Sequence, residues 1–113
     1  MIAQVRPADL PAWLEAARAH GEPVVLDVRE PYEQRMASVA ENGFQLRSIP
    51  MGVIPPRLAE LDPNQPIACL CHHGARSFQA GMFLEQMGFG AIINLQGGVA
   101  AWARDVDPAM PTY

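Results

Sequence analysis

The sequence predicts an α/β domain with a mainly parallel central sheet and helices on both faces. Three observations carry this. Short apolar runs of strand length alternate with stretches of helical periodicity along the chain. The clearest run, Val24-Val25-Leu26-Asp27-Val28, is mostly apolar without alternation, as a strand covered on both sides must be. Glycine and proline punctuate the ends of these runs, as at Gly21-Glu22-Pro23 and Gly88.

Each element has its own signal. Ala3-Gln4-Val5 is a short strand. Pro7 and Asp9 open a helical region with Leu10, Trp13, Leu14 and Ala17 at i, i+3, i+4 and i+7, closed by Gly21. A short polar helix is expected from Pro31 to Met36, and a weaker strand from Gln45 to Ile49, ended by Pro50. Pro55 to Leu61 reads as a short helix begun by proline. Ile67 to Leu70 is a strand. Arg76 to Met87 is a helix with Ala80, Phe83, Leu84 and Met87 on one stripe, stopped by Gly88. Gly81 inside it is expected to pack closely on the sheet. Ala91 to Leu95 is the last strand, and Gly97-Gly98 turns the chain into a helix containing Trp102. The final residues, with Pro108 and Pro111, are expected to lie extended over the surface. Right-handed crossovers place helices on both faces of such a sheet.

Composition narrows the functional classes. The chain has 113 residues, half of them apolar, which suits one domain over residues 1–113 with one core. A net charge of −4 and the absence of any basic tract exclude a general nucleic-acid binder. No apolar stretch approaches the roughly 20 residues that span a bilayer, so no membrane partner is expected. The first residues lack the apolar segment of a signal peptide, which makes a cytoplasmic location the default. The cysteines are Cys69 and Cys71. At the strand end their thiols are expected to point to opposite faces, which disfavours a disulfide between them. Their spacing is not the redox C-x-x-C pattern. His72 and His73 beside Cys71 raise the question of a metal. Structural zinc sites, however, draw ligands from two separated clusters, and His20 is too remote to be assigned; no metal and no cofactor are expected.

The densest chemistry lies in Cys71-His72-His73-Gly74-Ala75-Arg76-Ser77, between a strand and a helix. Such a turn aims several backbone N–H groups at one point, and the helix N-terminus adds partial positive charge. A thiol held there is expected to ionise more readily than a free one, and the thiolate is the nucleophile. Cys71 is therefore read as a nucleophile in an anion-cradling loop. The reading requires the amides of the turn to face the sulfur and the side chain to be reachable from solvent.

Three segments give the chain a family resemblance. They are Leu26-Asp27-Val28-Arg29-Glu30-Pro31-Tyr32-Glu33, the Cys71–Ser77 loop, and Asn94-Leu95-Gln96-Gly97-Gly98-Val99-Ala100-Ala101-Trp102. In this order they resemble the D-V-R-x-x-x-E signature, the active loop and the L-x-G-G-x-x-x-W ending of the single-domain rhodanese family of sulfurtransferases. One feature departs from the family pattern. The stretch Arg35 to Phe44 lacks the His-Ile-Pro of the usual turn before the middle of the domain.

The resemblance implies a rhodanese-like fold and a ping-pong reaction. Cys71 would take the outer sulfur of thiosulfate or a similar donor as a persulfide, then pass it to cyanide, a thiol or a protein acceptor. The N–H groups of His72 through Ser77 would hold the anionic sulfur. From Cys71 to Arg76 the loop reads C-x4-R. The related phosphatases and arsenate reductases resemble C-x5-R, a wider cradle suited to a tetrahedral anion. The shorter loop favours sulfur over phosphate. A third class, a non-catalytic regulatory or partner-binding module, is opposed by the retained cysteine.

The remaining residues divide between substrate contact and support. Arg76 is expected either to attract an anionic donor or to pair with a carboxylate. His72 and His73 either add positive potential at the mouth or contribute only backbone. Gly74 serves loop geometry, with Ala75 and Ser77 completing the cradle. Asp27, Arg29 and Glu33 are read as a polar network bracing the strand end rather than as acid–base catalysts. Cys69, Trp13 and Trp102 are read as core.

Overall fold

The computed structural model describes all residues from Met1 to Tyr113. Five strands form one sheet: β1 (Ala3–Val5), β2 (Val24–Asp27), β3 (Gln45–Ser48), β4 (Ile67–Leu70) and β5 (Ile92–Leu95). Their order is β1-β5-β4-β2-β3, and every pairing is parallel. The helices are α1 (Leu10–Ala17), α2 (Pro31–Met36), α3 (Ala75–Gln86) and α4 (Gly98–Asp105). The segment expected as a helix at Pro55 to Leu61 is instead a tighter 3-10 turn over Pro55–Glu60. Its bonds run three residues back, with Arg57 N–H donating to Ile54 O and Leu61 N–H to Leu58 O, each at 3.1 Å.

Side-chain alternation along the buried strands divides the core in two. Val24, Leu26 and Val28 pack with Ile67, Cys69 and Cys71 against Ala80 and Leu84 of α3. Val25, Ala68 and Leu70 pack on the other face with Leu10 and Leu14 of α1 and Trp102 of α4. Helices therefore cover both faces, as the apolar runs require. Cys69 and Cys71 share one face, and both are free thiols. The expectation of opposite faces is corrected: residues two apart on a strand project to the same side. Met87, expected on the apolar stripe of α3, is half exposed. It caps the helix after Gln86 rather than continuing it.

The topology fixes where the loop lies. From β2 the chain crosses outward to β3, returns to β4 beside β2, and proceeds in the other direction to β5. The carboxyl ends of β2 and β4 thus flank the switch in strand order, where α/β sheets gather ligands. Asp27 is in register with Leu70, and the chain enters the Cys71 loop immediately beyond.

The final segment does not simply lie over the surface. Met110 is buried, and the ring of Tyr113 stacks on His72. That correction matters at the site. The Gly97-Gly98 pair also has a specific task, because both residues have positive φ (83° and 59°). A Cβ on Gly98 would collide with the carbonyl oxygens of Cys71 and His72. Gly98→Ala is therefore expected to destabilise the domain by about 2 kcal/mol or more, because strained backbone and a backbone clash add. Urea unfolding of the variant beside Gly90→Ala, whose Cβ meets open space, checks this.

Candidate active site

The Cys71–Ser77 loop joins β4 to α3 and is held by its carbonyls. Val99 N–H donates to Cys71 O at 2.9 Å and Ala100 N–H to His72 O at 3.0 Å, both from the first turn of α4. Asn94 Nδ2 donates to Gly74 O at 3.0 Å. Within a planar trans peptide the N–H points opposite to the carbonyl. Turning these three oxygens toward α4 and β5 turns the amides of His72, His73 and Ala75 the other way. None of those amides has an acceptor in the chain.

Three donors or donor-capable groups meet Cys71 Sγ. Gly74 N–H donates to it at 3.1 Å and Ser77 N–H at 3.3 Å, while Ser77 Oγ lies at 3.2 Å. Gly74 reaches this position with φ +105°, open to glycine. Two amides of the turn, those of Gly74 and Ser77, thus face the sulfur. The side chain is not open to solvent, however: Cys71 is 1% exposed. Its sulfur is the floor of the cradle.

Ser77 and Asn94 form a buried pair that the sequence did not single out as a unit. Ser77 Oγ lies 2.5 Å from Asn94 Oδ1 and 3.3 Å from Gly74 O, besides its contact with sulfur. The amide orientation of Asn94 is fixed, since its NH2 group reaches both Gly74 O and Gln4 Oε1. Ser77 has one proton and three acceptors within reach. Asn94 sat inside the third quoted motif, but nothing in spacing distinguishes a buried asparagine that orients a hydroxyl from one that packs.

Arg76 pairs with a carboxylate, the second of its two expected roles. Its Nη1 and Nη2 donate to the two oxygens of Glu33 at 2.7 and 2.8 Å, a bidentate pair joining α3 to α2. Arg76 is 39% exposed and Glu33 is 5% exposed at the side chain. The Arg76 guanidinium holds the Glu33 carboxyl down at about 2, aided by Tyr113 and against the opposing effect of burial. Glu33 also accepts from Glu30 N–H in a capping box that starts α2.

Deeper in, Asp27 and Arg29 form a buried ion pair at 2.8 Å. Arg29 Nε also donates to Asp27, Nη2 to Ala37 O, and Nη1 to Glu33 O and the Tyr113 hydroxyl. The three polar residues of the early motif therefore lie together at the carboxyl end of β2, beneath the loop. His72 is held below its ordinary range by burial and by neighbouring His73. Its ring stacks on Tyr113 and lies against His73. No group of His, Cys, Asp and Glu is arranged to hold a metal ion.

The depressed Glu33 carboxyl links pH to stability. Its folded value of about 2 lies below the ordinary 4.5, so the charged form favours the fold. That contribution is complete above 4.5 and is lost as pH falls toward 2. Solvent screening at the exposed guanidinium limits it to about 1 kcal/mol. Glu33→Gln is expected to melt lower than wild type at neutral pH, with the gap closing through the acid range. A gap independent of pH in thermal melts would remove the ion pair from the account.

Comparisons with known proteins place the sequence and the fold. The model of the Rhodanese-like domain matches residues 10–105. A protein from Allochromatium vinosum named "Sulfurtransferase" is 38% identical over 81 residues, covering 72% of each chain. A Mycobacterium tuberculosis protein named "Probable adenylyltransferase/sulfurtransferase MoeZ" is 32% identical over 96% of this chain, which spans only 26% of that protein's length. The crystal structure of a rhodanese-related protein from Thermoplasma volcanium superposes with a TM-score of 0.76. It is 31% identical and covers 92% of this chain and 93% of its own. With its parallel sheet and its Cys71 loop, the chain belongs to the family of Rhodanese-like domains.

Proposed function

We propose that this chain, acting as one domain, is a sulfurtransferase that carries sulfane sulfur on Cys71. The relatives named sulfurtransferases support sulfur transfer in general. The observation that carries the assignment to this residue is the convergence of Gly74 N–H, Ser77 N–H and Ser77 Oγ on Cys71 Sγ. In the first step the Cys71 thiolate attacks the outer sulfur of thiosulfate or a similar donor. A bond forms between Sγ and that sulfur, the donor's S–S bond breaks, and sulfite leaves with the electron pair. In the second step cyanide, a thiolate or a protein thiolate attacks the outer sulfur, and Sγ departs as thiolate. The outer sulfur of the persulfide is anionic, and the loop amides without acceptors are suited to hold it.

The geometry favours sulfur over phosphate. A tetrahedral oxyanion in the loop needs the forked guanidinium of its arginine. Both terminal nitrogens of Arg76 are instead committed to Glu33. Arg76 then acts on an anionic donor chiefly by neutralising Glu33. One observation favours a second reading, a partner-binding module without catalysis: the 1% exposure of Cys71.

Intact mass separates the two readings. After thiosulfate treatment, wild type is expected to gain one sulfur on Cys71. Cys71→Ser abolishes both the adduct and turnover, while Cys69→Ser keeps both. A folded wild-type protein that takes up no sulfur from thiosulfate or from a persulfide donor would overturn the carrier reading and favour the binding module.

Charge at the mouth is tested by steady-state kinetics. Arg76→Ala leaves the Glu33 carboxylate unpaired and is expected to raise KM for thiosulfate about three- to tenfold, with little change in kcat. Adding Glu33→Gln to that variant restores most of the loss. An unchanged KM in Arg76→Ala would remove the pair from donor binding.

A further inference from the structure

Cys71 is buried within a loop whose two limbs are tied, one directly and one through Glu33, to a single side chain from outside it. We infer that Tyr113 is a specificity-determining residue, clasping both limbs of the Cys71–Ser77 loop so that small acceptors are admitted to the sulfur in preference to bulky thiols. On the first limb, the Tyr113 ring stacks on His72, with centroids 3.8 Å apart and planes 7° apart. His72 in turn lies against His73, at 3.9 Å between centroids. On the second limb, the Tyr113 hydroxyl donates to Glu33 Oε2 at 2.9 Å, and that oxygen is the one paired with Arg76 Nη2. The same hydroxyl accepts from Arg29 Nη1 at 2.7 Å, which anchors the clasp to the buried Asp27–Arg29 pair.

The clasp is strong enough to shape the loop and weak enough to open. Two of its contacts are charge-assisted hydrogen bonds. Yet Tyr113 is 37% exposed and follows α4 on an irregular segment with only Met110 buried. Cys71 is 1% exposed, so the opening that an acceptor needs grows with its size. With Tyr113 in place, opening the loop to a larger acceptor requires breaking the stack and both hydrogen bonds together.

The inference rests on the proposed role of Cys71, so its test includes a measurement that needs no sulfur transfer. Modification of Cys71 by iodoacetamide and by a maleimide bearing a polyethylene glycol chain is timed by peptide mapping. In parallel, kcat/KM is measured with cyanide and with glutathione as acceptors. Tyr113→Ala is expected to raise the bulky-to-small ratio at least about fivefold in both assays. Tyr113→Phe keeps the stack but not the hydrogen bonds, and is expected to raise the ratio by about twofold. If the alanine variant does not fold, the phenylalanine variant decides the matter alone. Unchanged ratios in a folded variant overturn the inference. A shifted alkylation ratio with no sulfur transfer to any acceptor upholds the clasp and rejects the sulfurtransferase reading.

Discussion

The site depends on the grip of α4 on the carbonyls of the loop. Once Val99 and Ala100 take the oxygens of Cys71 and His72, peptide planarity leaves the following N–H groups facing away from α4. Asn94 does the same for Gly74 O from β5. The amides of His72, His73 and Ala75 are thereby left without acceptors in the chain, while Gly74 N–H and Ser77 N–H reach the sulfur. The grip requires the backbone of Gly98 to approach the loop more closely than a Cβ allows, and this is the physical content of the two-glycine motif.

A second constraint is the charge buried beneath the loop. Arg29 is fully buried, and an isolated guanidinium there would carry a heavy desolvation cost. Each of its nitrogens instead has a partner among Asp27, Glu33 O, Ala37 O and Tyr113. No buried side-chain nitrogen or oxygen in the chain lacks one. The network runs from the end of β2 through Tyr113 and Glu33 to Arg76 at the surface. It ties α2, the loop and the last residues to one another. Asp27, Arg29, Glu33 and Arg76 are all joined in it.

Much of this was legible before any coordinates. Val24–Asp27 and Ile67–Leu70 are apolar on both faces, so their burial in a parallel sheet follows from pattern alone. Cys71 is conspicuous because a strand, a turn with glycine and a helix meet there. Other features could not be read. Tyr113 is distant in sequence from His72 and Glu33, and a proline-punctuated ending carries no periodic signal to say what it rests on. Asn94 and Ser77 meet only because β5 lies beside β4, a fact of strand order rather than of spacing. The bidentate Arg76–Glu33 pair was one of two open roles, and only the approach of α2 to the loop decides between them.

The two cysteines show how position alone separates a core residue from a candidate nucleophile. Both lie on the same face of the sheet, in the same apolar cluster, two residues apart. Cys69 is inside β4, against Gly81 of α3, and burial pushes its thiol up to about 12. No hydrogen bond reaches its sulfur. Cys71 is equally buried, but it lies just beyond the strand, where the backbone is released from the ladder and its N–H groups can turn inward. Burial alone disfavours a thiolate, as at Cys69, whereas Cys71 has Gly74 N–H, Ser77 N–H and Ser77 Oγ around its sulfur. What separates the two thiols is thus the point at which the sheet stops supplying acceptors for the amides. In this chain that point falls between Leu70 and Gly74.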